Sequence, residues 1–396
     1  MRDKSLKIQV KEDLNLNNDN IDFEDDNTEN EDDLGRQTVD VYSKAVLWGT
    51  DWTTETIISQ LKKNNIEMNP DFQRRDAWDR KKKSKFIESL ILNLPVPPII
   101  LAESAEKKNS YIVIDGKQRL LSIMQFSANE KDEKYDNLKL TGLEILKDIN
   151  GKNYNTLNQI PKGDDYITQF DNQTIRTVVI RNWKQEDFLY TVFLRLNAGS
   201  LKLSTQELRQ ALHPGEFLLY ANKYAEKSPG LNKILKLKNP DPRMRDVELL
   251  IRFYAFKNFE AEYKGNLKDF LDESCKKINQ DWDENKSKYI EQAEELEEAV
   301  NFTIEIFGEK AAFSKYLEGK YTNIFNRTIF DIMTSSFSDK NIREKYSDKK
   351  KVIRMQFEKM MNEDKEFLES VSGSTKDLDK TITRFKKWRE ILSSVL

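Results

Sequence analysis

An acid, a glycine and two cations stand where an apolar run stops, in Tyr111-Ile112-Val113-Ile114-Asp115-Gly116-Lys117-Gln118-Arg119-Leu120-Leu121. The run predicts a buried strand, Gly116 permits a tight turn, and Leu120, Leu121 and Met124 continue as a helix. The amides of a helix's first turn lack intrahelical partners and carry a partial positive charge, so they form an anion site. Lys117 and Arg119 add full charges beside it, and Arg119 can present a bidentate fork to a phosphate. Asp115, delivered to the strand end, can hold a magnesium ion or orient a water. The same spacing also suits a helix-capping aspartate with solvated basic neighbours.

Other segments offer related chemistry. In Asn69-Pro70-Asp71-Phe72-Gln73-Arg74-Arg75-Asp76-Ala77-Trp78 the arginines can reach phosphates while Phe72 and Trp78 wall a base or ribose pocket. The alternative is a loop anchored by its aromatics. In Phe193-Leu194-Arg195-Leu196-Asn197-Ala198-Gly199-Ser200, Arg195 and Asn197 sit at a helix end, where Asn197 or Gly199 can take the left-handed C-cap conformation. Ser204 with Glu207 matches a capping box, which gives Glu207 a structural role. Arg384-Phe385-Lys386-Lys387-Trp388-Arg389 mixes base and aromatic as a nucleic-acid surface does, but a basic amphipathic helix packed by Phe385 and Trp388 explains it better.

Composition narrows the chemistry. His213 is the sole histidine; a Ser-His-Asp triad needs a positioned one and multi-histidine metal hydrolases need several, so histidine-rich chemistry is not expected. The work falls to carboxylates, arginines, lysines, backbone amides and a bound metal ion. Cys275 is the sole cysteine, so no internal disulfide forms and a reducing, cytoplasmic, bacterial setting is expected. No apolar run approaches the roughly 20 residues of a membrane span. The chain of 396 residues carries net charge −3, of which residues 1–33 hold −8, leaving a body of +5 compatible with a DNA partner or with solubility alone.

The elements that must position these residues follow from periodicity. Residues 1–40 read as an acidic disordered arm. Strands are expected at Ala45–Trp48, Ile99–Ala102, Tyr111–Ile114 and Thr174–Ile180, and helices capped by Thr53 and Asp79. A further helix is expected over Glu186–Leu196, and almost everything beyond Ser204 reads as helix. Residues 41–212 are therefore expected to form an α/β (α+β) domain and 213–396 an all-helical one.

Together the motifs resemble the N-terminal domain family of GmrSD-type restriction enzymes. The family pattern has a Tyr-Gln-Arg segment before a Trp, a Pro-hydrophobic-Pro-Pro unit before a strand, and Asp-Gly-Gln-Gln-Arg. Phe-x-Arg-Leu/Ile-Asn-x-Gly and Leu-Ser-x-x-Glu-Leu-Arg come later. Here they appear as Phe72-Gln73-Arg74 with Trp78, Leu94-Pro95-Val96-Pro97-Pro98, Asp115 to Arg119, Phe193 to Gly199 and Leu203 to Arg209, so the resemblance covers about residues 45–260. It implies a ParB/sulfiredoxin-like domain that binds and hydrolyses a nucleoside triphosphate with Mg2+. It also implies a role in sensing DNA and controlling its cleavage by a separate nuclease. Carried over, Asp115, Gln118 and Arg119 form the catalytic and metal site, while Gly116, Lys117, Gln73, Arg74, Arg195 and Asn197 bind the nucleotide. Lys117 departs from the family's first Gln, which either strengthens phosphate binding or impairs turnover. A single histidine argues against an HNH nuclease within this sequence. Two alternatives stay open: a metal-dependent nuclease on the same carboxylate, and a binding module without turnover.

Overall fold

The computed structural model describes residues 45–68, 77–104, 107–129, 132, 135–196, 204–372 and 377–395. Its first elements are β1 (Val46–Thr53), α1 (Thr54–Lys62), β2 (Ile66–Glu67), α2 (Arg80–Ile91), β3 (Ile99–Glu103), β4 (Tyr111–Asp115), α3 (Lys117–Ser127), α4 (Gly163–Asn172) and β5 (Thr174–Arg181). The sheet has the order β1-β5-β3-β4-β2. β1 pairs with β5 and β3 with β4 antiparallel, whereas β3 with β5 and β2 with β4 run parallel. Helices begin where the sequence places caps: Thr53 accepts from the Thr56 amide, and Asp79 from the Lys82 amide at 2.7 Å.

Side chains alternate across each strand, and this sorts the sheet into two cores. Ile99, Leu101, Tyr111, Ile175 and Val179 share one core with Ile57, Leu61, Ile87, Leu90, Leu120, Met124 and Phe170. Ile100, Ala102, Ile112, Ile114 and Ile180 share the other with Phe188, Leu189, Tyr190, Phe193 and Leu208. These last come from α5 (Glu186–Leu196) and α6 (Thr205–Leu212). The mixed sheet with helices on both faces is the expected α+β class.

One charged group is buried beside the first core. Lys83 on α2 is 4 % exposed and donates from Nζ to Gln125 Oε1 at 2.7 Å. Burial pushes its ammonium down to about 8, against 10.5 for an ordinary lysine, with Asp136 opposing the drop. Between those two values the unfolded chain binds more protons than the folded one, so stability rises with pH across that window. Wild-type thermal midpoints are expected to climb from about pH 8 to about pH 10 relative to those of Lys83→Met. Parallel profiles for the two proteins would refute the assignment.

The chain continues through α7 (Glu216–Lys227), α8 (Arg245–Phe259) and α9 (Leu267–Phe307). Among the described residues one compact unit takes in 45–226 and 240–289, and the other 227–239 and 290–395. The border expected at residue 212 does not coincide with this division. Past it, Phe217 packs edge-on to Tyr254 at 5.2 Å and tilted against Trp282 at 5.7 Å, which keeps the next helices in the first unit.

The second unit contains α10 (Arg327–Phe337), α11 (Lys350–Glu363) and α12 (Leu378–Ser394). Phe337 and Phe357 both pack edge-on to Trp388, at 5.7 and 6.1 Å. This region is helical as expected, with one addition, a hairpin of β6 (Ser314–Leu317) and β7 (Lys320–Phe325). Its two turn residues, Glu318 and Gly319, both have positive φ, at 51° and 80°, as a type I′ turn requires. On α12, Phe385 and Arg384 are buried, and Lys387 pairs with Asp364 at 2.6 Å and Glu366 at 2.8 Å. The basic-aromatic run is therefore the packed amphipathic helix and not a stacking platform. No helix among the described residues is long and apolar enough to cross a membrane.

Candidate functional site

β4 ends at Asp115 and α3 starts at Lys117, with Gly116 between them as N-cap at φ 102° and ψ 9°. β4 itself bulges at this level against β3: Ile100 stands opposite Asp115, but Leu101 stands opposite Val113, so Ile114 is the extra residue. Bulges bend a strand and re-aim its side chains, and this one falls where the acid leaves the ladder. A Cβ on Gly116 would lie 3.1 Å from Ile99 Cγ1 and 3.3 Å from Arg119 Nη2, in a backbone conformation that side chains avoid. Gly116→Ala is expected to cost about 1–2 kcal/mol, read as a lower urea midpoint. An unchanged midpoint would show that the turn relaxes freely.

Gly116 supplies no side-chain cap to α3, unlike Thr53, Asp79 and Ser204 at their helices. Asp115 is thus not the helix cap that its spacing also allowed. Its Oδ1 accepts from the Gly116 amide at 2.7 Å, and its Oδ2 pairs with Arg119 Nη2 at 2.7 Å. The same Nη2 donates to the Pro98 carbonyl at 3.0 Å, so the proline run ahead of β3 helps hold the guanidinium. The Asp115 side chain is 39 % exposed and that of Arg119 11 %. Arg119 Nε is buried with no hydrogen-bond partner among the described residues. One reachable carboxylate, one fixed guanidinium and a helix start without a side-chain cap therefore converge. That donor set fits a phosphate carrying Mg2+, which binds through one or two carboxylates and the phosphate itself.

Lys117 is arranged differently from the phosphate ligand expected of it. Its side chain is 4 % exposed, and Nζ lies 2.5 Å from Glu207 Oε1. A buried ammonium needs a counter-charge, and Glu207 supplies one. Glu207 keeps the capping role expected of it, with Oε2 accepting from the Ser204 amide at 2.8 Å. The second task, holding Lys117, was not visible in the sequence.

Gln118 faces the second motif. Its Oε1 accepts from the Trp78 amide at 3.3 Å, and Trp78 packs edge-on to Phe86 at 5.8 Å beneath the Lys82 ammonium. Gln73, Arg74 and Asn197 lie outside the described residues, as do 1–44. Arg195 is exposed in the last turn of α5. The structure thus brings Asp115, Arg119 and Pro98 together and links Gln118 to the Trp78 segment.

Residues 55–214 match the sequence model of the GmrSD restriction endonuclease, N-terminal domain. No curated protein and no solved structure matches the chain.

Proposed function

Residues 55–214 belong to the GmrSD restriction endonuclease N-terminal domain family, and from that premise we propose that the chain binds and hydrolyses a nucleoside triphosphate in a restriction-type defence system. The observation that carries this reading is the Asp115–Arg119 pair, 2.7 Å apart, at a helix N-terminus with no side-chain cap. The first-turn amides of α3 receive phosphate oxygens, and Arg119 contributes its N–H groups from a guanidinium already fixed by Asp115 and Pro98. Asp115 either holds Mg2+ jointly with the phosphates or aligns the attacking water. Mg2+, when bound, neutralises charge on the phosphates. Gln118, whose Oε1 accepts from the Trp78 amide, completes the proposed catalytic set, and Gln73, Arg74, Arg195 and Asn197 are the further proposed binding residues.

In this reading the nucleotide state is passed to DNA cleavage by a separate nuclease, since a single histidine, His213, argues against an HNH nuclease within this sequence. A cytoplasmic setting follows from this role. Phosphate release from ATP, GTP, CTP and UTP with Mg2+ tests the reading, with release expected from at least one. Absence of both release and binding with all of them would overturn it. Tight binding without release would favour the module without turnover. Plasmid cutting with Mg2+ or Mn2+ and no nucleotide would favour the nuclease.

A further inference from the structure

A second set of polar groups lies in the same unit and plays no part in that reading. Glu186 opens α5, His213 closes α6 as its C-cap, and Asp272 lies in the second turn of α9. His213 Nε2 is 3.4 Å from Glu186 Oε2 and 3.7 Å from Asp272 Oδ2. One donor atom from each of the three side chains lies within 4.8 Å of the other two. The His213 and Asp272 side chains are 3 % and 4 % exposed. Nevertheless His213 Nε2 and Asp272 Oδ2 have no hydrogen-bond partner among the described residues. Their separation is too long for a hydrogen bond between them. Buried polar atoms facing one another without a partner are costly, and an ion between them removes the cost.

We propose that Glu186, His213 and Asp272 bind a divalent transition-metal ion of zinc's class, which clamps α5 and α6 onto α9. For metal–ligand bonds of about 2.1 Å, tetrahedral donors stand about 3.4 Å apart, close to the two shorter separations found here. One imidazole and two carboxylates suit Zn2+, Mn2+ or Fe2+. The surroundings support the donors. Arg209 Nε donates to Asp272 Oδ1 at 2.5 Å and Tyr190 lies 3.3 Å from the same oxygen, which leaves Oδ2 toward the imidazole. This is the outer-shell bonding usual for a ligating carboxylate. Lys268 Nζ stands 3.3 Å from Oδ2 as a surrogate cation. It can be displaced toward Asp269 Oδ1, already 3.4 Å away. Lys276, 3.7 Å from Glu186, is the other nearby cation and is more exposed. The Glu186 side chain is 34 % exposed, which gives an ion a way in.

His213 being the sole histidine makes the test unambiguous. Untagged, 15N-labelled protein freed of metal with EDTA has a single imidazole to follow by NMR. Titration with ZnCl2, without nucleotide, is expected to convert its signals to a bound set at one ion per chain and to raise the thermal midpoint. Co2+ is expected to give a visible spectrum without thiolate charge transfer. Glu186→Gln, at a half-exposed helix start that tolerates change, is expected to weaken Zn2+ binding at least about tenfold. His213→Gln is expected to abolish it. Imidazole signals that ignore Zn2+, or binding equally tight in both variants, would overturn the proposal. Signals that move with pH alone would also overturn it and leave the three residues as an ion-pair clasp.

Discussion

Asp115→Asn is expected to melt like the wild type and to release phosphate from the nucleoside triphosphate about 100-fold more slowly or worse. The amide side chain keeps an oxygen for the Gly116 N–H, 2.7 Å away in the wild type, so the turn into α3 is preserved. What disappears is the negative charge. Without it the site loses the Asp115 carboxylate for Mg2+, and Arg119 loses its ionic partner at 2.7 Å while keeping its bond to the Pro98 carbonyl. Arg119→Lys is expected to fall by a similar factor, because an ammonium cannot hold Asp115 and Pro98 and still present a planar fork to phosphate. Steady-state turnover at saturating Mg2+ and nucleotide, with a melting curve for each variant, checks both. Wild-type turnover in Asp115→Asn would remove this carboxylate from the reaction. A lowered melting temperature would instead assign it to the fold.

The second large effect concerns stability. Glu207→Leu is expected to cost about 3–5 kcal/mol, because it strands the Lys117 ammonium in the protein interior. In the wild type the two charges lie 2.5 Å apart at 4 % and 6 % exposure. Lys117→Met is expected to cost a comparable amount by stranding the carboxylate, though Glu207 keeps its bond from the Ser204 amide. Lys117→Gln, which restores the residue usual in the family pattern, is expected to be milder, since the amide can still donate to Glu207. The double variant Lys117→Met/Glu207→Leu is expected to recover most of the loss, short of the roughly 1 kcal/mol of the capping box. Urea unfolding of the wild type, Lys117→Met, Glu207→Leu and the double variant forms a double-mutant cycle. Additive losses would show that the two charges act independently. Lys117→Gln also separates the two explanations of the departure at this position. A buried Lys117 predicts lower stability with turnover retained per folded molecule, whereas a phosphate ligand predicts weaker nucleotide binding.

Much of this organisation was written locally in the chain. Continuous apolar runs at Ile99–Ala102 and Tyr111–Ile114, caps at Thr53, Asp79 and Ser204, and the strand-Gly-helix junction at Asp115–Gly116–Lys117 all involve residues within a few positions of one another. Backbone geometry dictates those relations before any tertiary contact forms. The hairpin around Glu318-Gly319 was local as well, but its short strands were masked by the helical periodicity on either side.

The tertiary structure decided which side chains meet across the chain. Asp115 and Arg119 share one helix start, so their pairing lay within reach of sequence reasoning. The Lys117–Glu207 pair spans 90 positions, and the Gln118–Trp78 bond 40. The Glu186–His213–Asp272 cluster draws on three helices. Spacing along a chain specifies direction only within one element. Beyond it, the strand order β1-β5-β3-β4-β2 and the packing of α5 and α6 on one face determine which charge finds a partner. That is why Lys117, a phosphate ligand by its position in the motif, is a buried counter-ion once the domain has folded.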